Sequence, residues 1–216
     1  MAERITSRLE AIAEKVRFHF SVKDEAREKA LTLCREATRH STNAIRAIHR
    51  QEYQEARNIL DQAKGVLEQV KQTLAQHPDL YYAGYVHDAQ KEFAEGCITL
   101  ALVRGEELHD AAGLGVGYAA YLNGMGEAVG ELRRYLLDTI RRGDLSRCEE
   151  VLAAMDDIYG ILVTMDFPDA LTGGLRRTTD SVRGILEKTR GDLTVAFEQR
   201  GLQEKMATLE EKLRGR

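Results

Sequence analysis

Apolar side chains recur every three or four residues along almost the whole chain, which is the spacing of one face of an α-helix. The first such stretch covers residues 3–50, and the polar segment at Ser21 allows a break or a kink there. The pattern resumes over residues 52–76 and stops before Pro78, because the residue preceding a proline is pushed out of the helical conformation. No useful length of chain alternates with period two, so the pattern predicts an all-α fold.

The second half of the chain continues in the same way after Pro78. Four further helices are predicted, over residues 79–103, over residues 118–142, from residue 144 or 146, and from residue 171 or 174. Mostly short connections predict an antiparallel bundle of about six to seven helices in a single domain, residues 1–216. The tail 201–216 is highly charged, and we expect it to fray.

Composition supports an ordered helical domain. Of the 216 residues, 43% are hydrophobic and 31% are charged, with only two prolines, and this length is enough to bury a core without staples. The three cysteines lack a C-x-x-C spacing, which favours a reducing compartment and argues against a zinc site. There is no apolar signal region and no run of eighteen apolar residues, so we expect a cytoplasmic protein without a membrane span.

Charge is unevenly distributed in this mildly acidic chain of net charge −4. Residues 1–50 hold eleven basic and seven acidic side chains, and between Lys29 and Arg50 the one acid is Glu36. A locally basic helix can contact phosphate even in an acidic protein, although the same charges also suit a solvated helix face. The candidate nucleic-acid-binding residues are Arg35, Arg39, Arg46, His49 and Arg50.

Paired acids occur on two predicted helices that are apolar enough to be central. Glu92 and Glu95 lie on one helix, and Glu127 and Glu131 lie one turn apart on the next long helix. Like charges at these spacings cost a few tenths of a kcal/mol each unless they are neutralised. We therefore predict that the four carboxylates converge and hold one or two divalent ions, with Asp88 as a further candidate ligand or a partner of the ligands. Oxygen ligands without histidine or thiolate favour Mg²⁺ or Mn²⁺.

Glycines surround both acidic pairs, and each costs about 1 kcal/mol inside a helix. That cost is tolerated where backbones or a ligand approach closely. The glycines concerned are Gly84, Gly96, Gly124, Gly126 and Gly130. We interpret them as marking a site between two tightly packed helices.

Several stretches resemble the translin superfamily, and within it the translin-associated factor X branch more than translin itself. Residues 41–50 are similar to the basic end of the long first helix of that family, and residues 90–95 contain its E-x-x-E. Residues 121–134 resemble its Y-L-x-G-x-x-D-x-x-G-E-L-x-R, and residues 143–144 and 168–183 also match in pattern. The resemblance covers about residues 27–201 and suits an archaeal- or prokaryotic-type homologue.

This resemblance implies a seven-helix fold that assembles into closed octamers, and an Mg²⁺-dependent endoribonuclease acting on single-stranded RNA. Carried over by position, the catalytic and metal-binding acids are Glu92, Glu95, Glu127 and Glu131. Glu127 stands where the family usually has aspartate, so the ligand type is kept while the ion spacing can change. The chain is expected to form its own homo-oligomer, a second subunit type being the alternative, and single-stranded DNA is a further possible ligand.

Three other functions remain open at this point. A translin-like oligomer that binds single strands without cutting would retain RNA regardless of chelators. An all-α nucleoside triphosphate pyrophosphatase, which also uses paired helical acids and Mg²⁺, would hydrolyse free triphosphates. A plain structural bundle would do neither.

Overall fold

The computed structural model describes residues 2–214 and the side chains of residues 5–214. Every regular element in this range is a helix, which confirms the all-α prediction. Six helices are long and three are single turns. In chain order they are α1 (Ala2–His49), α2 (Tyr53–Thr73), α3 (Pro78–Tyr81), α4 (Gly84–Arg104), α5 (Ala111–Leu114), α6 (Tyr118–Arg141), α7 (Cys148–Val163), α8 (Asp169–Thr172) and α9 (Leu175–Arg214).

Helix α1 is continuous through Ser21, where the sequence allowed a kink. Its second half packs on α2 and α4, and it buries alanines and Ile48 against alanines and Leu60 of α2. Its first half is different, because a row of apolar side chains there is exposed: Ile5, Leu9, Ile12, Val16 and Phe20. Core formation within the described chain therefore begins near Ala30.

Helices α4 and α6 form the centre of the molecule. Helix α4 contacts α1, α2 and α6, and it buries residues on most of its circumference, including Phe93 and Ile98. The helix predicted over residues 79–103 is divided, because Ala83 adopts an extended conformation between α3 and α4. The loop predicted before α6 contains one helical turn, α5, which Asp110 caps by accepting a hydrogen bond from the Gly113 amide.

Glycine permits the close approach of α6 to its neighbours. A Cβ atom at Gly124 would lie 2.6 Å from the backbone oxygen of Lys91, and one at Gly126 would collide with the Thr178 side chain of α9. At Gly96 the obstacle would be Leu60, 2.9 Å away. The predicted close packing between the two acid-bearing helices is thus confirmed at Gly124, whereas Gly126 approaches α9 and Gly96 of α4 approaches α2. It fails for Gly84 and Gly130, which have ordinary space around them.

Helices α7 and α9 also pack on α6 and on each other. Thr178 of α9 donates a hydrogen bond to Asn123 of α6, and Arg133 of α6 pairs with Asp192 of α9. Beyond Gly201, where the sequence predicts fraying, α9 is helical as far as Arg214 and its side chains are exposed. Within residues 2–214, no helix is both long and apolar enough to cross a bilayer.

Candidate metal and nucleic-acid site

Three of the predicted acids meet where α4 crosses α6. Glu92, Glu95 and Glu127 each offer one carboxylate oxygen, and these oxygens all lie within 4.8 Å of one another. We call these three residues the acidic cluster. Among residues 5–214 it is the one group of three or more acidic, histidine or cysteine side chains that meets so closely. The close approach at Gly124 brings the two helices near enough for it to form.

The acidic cluster contains more negative charge than its surroundings neutralise. Glu95 is only 8% exposed, and burial, followed by the charges of Glu92, Glu127 and Glu131, raises its pKa to about 8. Burial also raises the pKa of Glu92, and Glu127 adds to that effect. A bound cation would stabilise the ionised form of carboxyl groups whose pKa is raised in this way.

One ammonium group contacts the acidic cluster. Lys91 Nζ lies 2.7 Å from Glu127 Oε1 and 3.8 Å from Glu92 Oε1. Burial opposes its charge, but the hydrogen bond to Glu127 and the nearby carboxylates raise the pKa of Lys91 above its ordinary value. The sequence reasoning missed this contact, and its only signal was a lysine directly before Glu92.

Glu131 lies beside the acidic cluster but has a partner of its own. His49 of α1 bonds through Nε2 to Glu131 Oε2 at 2.5 Å, and the imidazole donates because an ionised carboxylate only accepts. This hydrogen bond lowers the pKa of Glu131, against the effect of burial. The His49 side chain is 5% exposed. The histidine that the sequence assigned to nucleic-acid contact therefore faces inward and binds an acid.

Asp88 lies outside the group of three. Its side chain is 72% exposed and is 3.6 Å from the ring of His87. It affects the acidic cluster only through space, by raising the pKa of Glu92 together with larger causes. The geometry therefore fits a nearby charge better than a direct ligand.

A cleft of about 580 Å³ opens beside the acidic cluster. One wall consists of Glu92, Glu95, Gly126 and Glu127, and the other is formed by α9 through Arg177, Thr178, Ser181 and Ile185. Arg177 is exposed, and in the described part of the chain its guanidinium has no hydrogen-bonding or ionic partner. The sequence reasoning assigned no role to α9, because nothing in the spacing of its residues shows that it faces acids fifty residues or more earlier in the chain.

The four predicted arginines follow one face of α1. Arg35, Arg39, Arg46 and Arg50 are separated by four, seven and four residues, which aligns side chains on a helix, and all four are exposed. We call them the basic stripe. Arg50 lies just past the end of the helix and pairs with Glu52 at 2.6 Å. The stripe ends at the turn from which His49 reaches Glu131.

Comparison with known proteins identifies the family. No family model matches the chain. The uncharacterized protein MJ0175 of Methanocaldococcus jannaschii is 31% identical over 185 residues, covering 84% of this chain and 81% of that protein. The crystal structure of AfC3PO is 35% identical with a TM-score of 0.80, covering 87% of this chain and 98% of that one. The chain belongs to the translin/C3PO family.

Two further solved structures are similar to this chain. AfC3PO has also been solved in a complex with duplex RNA, and that structure is 36% identical over 87% of this chain and 97% of its own, with a TM-score of 0.80. The apo-NeC3PO structure is 17% identical, covers 85% of this chain and 96% of its own, and has a TM-score of 0.76. At that identity it supports the fold alone.

The residues of this C3PO-family chain fit a hard divalent cation. The donors are carboxylate oxygens from two helices, already close enough to share one ion, and one of them is a buried acid whose pKa is raised to about 8. Mg²⁺ and Mn²⁺ prefer such oxygen ligands over sulfur or imidazole.

Proposed function

We propose that this chain is an Mg²⁺- or Mn²⁺-dependent endoribonuclease that cuts single-stranded RNA. The observation that carries the proposal is the acidic cluster, whose three carboxylate oxygens lie within 4.8 Å at one wall of an open cleft. The 36% identical AfC3PO, solved with duplex RNA, supports RNA as the class of ligand.

Glu92, Glu95 and Glu127 would hold the ion, with Glu131 as a neighbouring acid. When bound, such an ion activates water and neutralises charge on the oxygens of a phosphodiester. Glu131 is already ionised and fixed by His49, so it contributes negative charge without needing to lose a proton. Glu95 is the member whose proton must leave before its oxygen can act as a ligand.

The substrate backbone would lie between the acidic cluster and α9. Arg177 lines the opposite wall with its guanidinium unpaired, and the planar fork of an arginine suits phosphate oxygens. Further along, the exposed Arg35, Arg39 and Arg46 of the basic stripe would guide the strand toward the cleft. Contacts of this kind weaken as salt displaces them, so retention of RNA should fall steeply with ionic strength.

We also propose that the chain acts as a homo-oligomer, an octamer by resemblance to its family. The exposed apolar row on the first half of α1 supports this, since a monomer gains nothing by presenting Ile5, Leu9 and Ile12 to water at 50–60% exposure. Light scattering measures the particle mass directly. A mass equal to the 24.3 kDa chain would contradict the assembly.

The test of the reaction uses a labelled, unstructured RNA with Mg²⁺, with and without a chelator. Converting Glu127 and Glu131 together to glutamine should reduce cleavage by a factor on the order of 100 or more, as for loss of groups that stabilise transition-state charge. Glu68→Gln, an exposed acid on α2, is the matched control and should cleave like the wild type. Unchanged cleavage in the double variant would sink the proposal.

A binding-only function is the alternative that a specific observation favours. The basic stripe is exposed and exists independently of the acids, so it can retain RNA without cutting it. That function predicts binding that ignores the chelator and survives the double glutamine change. A nucleoside triphosphate included in the same assay reveals the pyrophosphatase alternative through release of pyrophosphate.

A further inference from the structure

Lys91 occupies a special position among the charged residues of the site. Its ammonium group is within 4 Å of two members of the acidic cluster, 2.7 Å from Glu127 Oε1 and 3.8 Å from Glu92 Oε1. Within the described side chains, His49 and Arg134 contact Glu131 instead, and Arg177 lines the opposite wall of the cleft without an ionic partner. Lys91 is thus the counter-ion of the cluster itself.

The ammonium bridges the same two helices that a divalent ion would bridge. Glu92 belongs to α4 and Glu127 to α6, and both supply oxygens to the group of three. An ion bound by those oxygens would lie within a few ångströms of Nζ, where two cations repel strongly in a half-buried setting. Lys91 and a divalent ion therefore compete for Glu127.

The side chain is free to leave, whereas its backbone is not. The backbone oxygen of Lys91 lies against Gly124, with no room for even a methyl group, so α4 is held in place at this point. The four-carbon side chain is 20% exposed, and the Glu127 side chain that it bonds is 36% exposed and lines the open cleft. A rotation about the side-chain bonds carries the ammonium away without disturbing either helix.

We propose that Lys91 is a resident counter-ion, which holds Glu92 and Glu127 together when no divalent ion is bound and is displaced from Glu127 when one binds. The inference rests on the ion-binding part of the proposed function. It makes the cost of moving Lys91 a component of the affinity for the ion, so that this lysine weakens ion binding while stabilising the ion-free protein.

The test measures Mn²⁺ binding by calorimetry in the absence of RNA, together with thermal unfolding with and without the ion. Lys91→Met keeps the apolar stem and removes the charge. It should bind Mn²⁺ tighter than the wild type by a factor on the order of five to ten, the worth of one charge-assisted hydrogen bond. Without the ion it should melt at a lower temperature, and saturating Mn²⁺ should close the gap. Lys188→Met, an exposed lysine on α9, is the control and should change neither quantity.

The direction of the change separates this role from a merely structural one, because structural damage weakens ion binding. Equal or weaker Mn²⁺ binding by Lys91→Met would overturn the inference. If that variant does not fold, Lys91→Arg decides: its forked pairing with Glu127 should be harder to displace and should weaken Mn²⁺ binding several-fold. Unchanged or tighter binding by Lys91→Arg would contradict the competition.

The same measurements distinguish the two proposals. A wild-type protein that binds no Mn²⁺ overturns both of them. A wild type that binds Mn²⁺, with tighter binding by Lys91→Met but no cleavage of RNA, supports the role of Lys91 and removes the nuclease function. If the wild type cleaves RNA but Lys91→Met does not bind Mn²⁺ more tightly, the nuclease function is supported and the displacement of Lys91 is ruled out.

Discussion

Two neighbouring regions of α6 treat the same kind of side chain in opposite ways. In the acidic cluster, Glu127 meets Glu92 and Glu95 from α4, and the buried Glu95 has a pKa raised to about 8. One turn further along, Glu131 meets His49 from α1, and its pKa is lowered. The two glutamates of α6 are four residues apart, yet one joins an excess of negative charge and the other joins a hydrogen-bonded pair.

The difference shows that the partners of a buried glutamate decide the direction in which its pKa moves. Burial without a hydrogen-bond donor raises the pKa of Glu95, whereas the hydrogen bond from His49 lowers the pKa of Glu131 despite its burial. The first region sets three acids against one ammonium, that of Lys91, and so can take up a further cation, whereas Glu131 already has its partner. Glu127 and Glu131 lie one turn apart on the same helix, so their spacing does not show which partner each one meets.

Removing Glu95 should give the largest effect, and it tests the first region. Its pKa of about 8 lies above the ordinary value of 4.5, so between these pH values the folded protein holds a proton that the unfolded chain has lost. The contribution of Glu95 to the free energy of unfolding is fully present below its ordinary pKa. It falls as pH rises toward the folded pKa, by up to about 1.4 kcal/mol per pH unit. Urea unfolding in chelator should show the wild type losing stability toward pH 8 relative to Glu95→Gln. If the free energies of unfolding of the two proteins change with pH in parallel, the raised pKa of Glu95 is contradicted.

Separating α4 from α6 at Gly124, where the two helices approach closely, should have the next largest effect on stability. A valine at position 124 would press against the Lys91 backbone oxygen, 2.6 Å from the new Cβ, and should cost about 3 kcal/mol of stability. At Gly130 a Cβ would lie 4.0 Å from Ile185, an ordinary contact. Gly130→Ala should therefore stabilise the protein by about 0.5–1 kcal/mol through helix propensity. Denaturant unfolding of the two variants measures both values, and equal effects would show that the crossing is not tight.

His49→Gln breaks the second region and should cost about 2 kcal/mol at neutral pH, because it weakens the hydrogen bond to an ionised, mostly buried acid. The folded pKa of Glu131 is depressed, so this stability is present above the unfolded value and is lost as pH falls through the folded one. The gap between wild type and variant should therefore shrink in acid. If the stability difference widens in acid, the hydrogen bond from His49 is not what stabilises the ionised form of Glu131.

The smallest effect is expected at Asp88, and it marks the edge of the acidic cluster. Its side chain is 72% exposed, and we expect Asp88→Asn to change stability by less than about 0.5 kcal/mol. Mn²⁺ titration of the variant should give the wild-type affinity within about twofold. A tenfold loss would make Asp88 a ligand after all.

Much of the fold was readable from the sequence because helical periodicity is a local property. The helix predicted over residues 118–142 is observed as Tyr118–Arg141, and the basic stripe follows from spacing alone. The predicted helix from residue 79 is divided at Ala83, because a single extended residue leaves only a weak sequence signal. After Gly201, α9 is helical to Arg214, with i,i+4 pairs such as Arg200–Glu204, and the fraying of this tail stays a prediction.

The sequence by itself determined the all-α class, the family and the four acids worth examining, since each depends on residue type and short spacing. Only the tertiary structure decided that three of those acids share a cluster, that Lys91 pairs with Glu127 across 36 residues, and that His49 bonds the fourth acid across 82. Periodicity fixes which residues share a face of one helix. It does not fix the angle or depth at which two helices cross, and those quantities decide which charges meet.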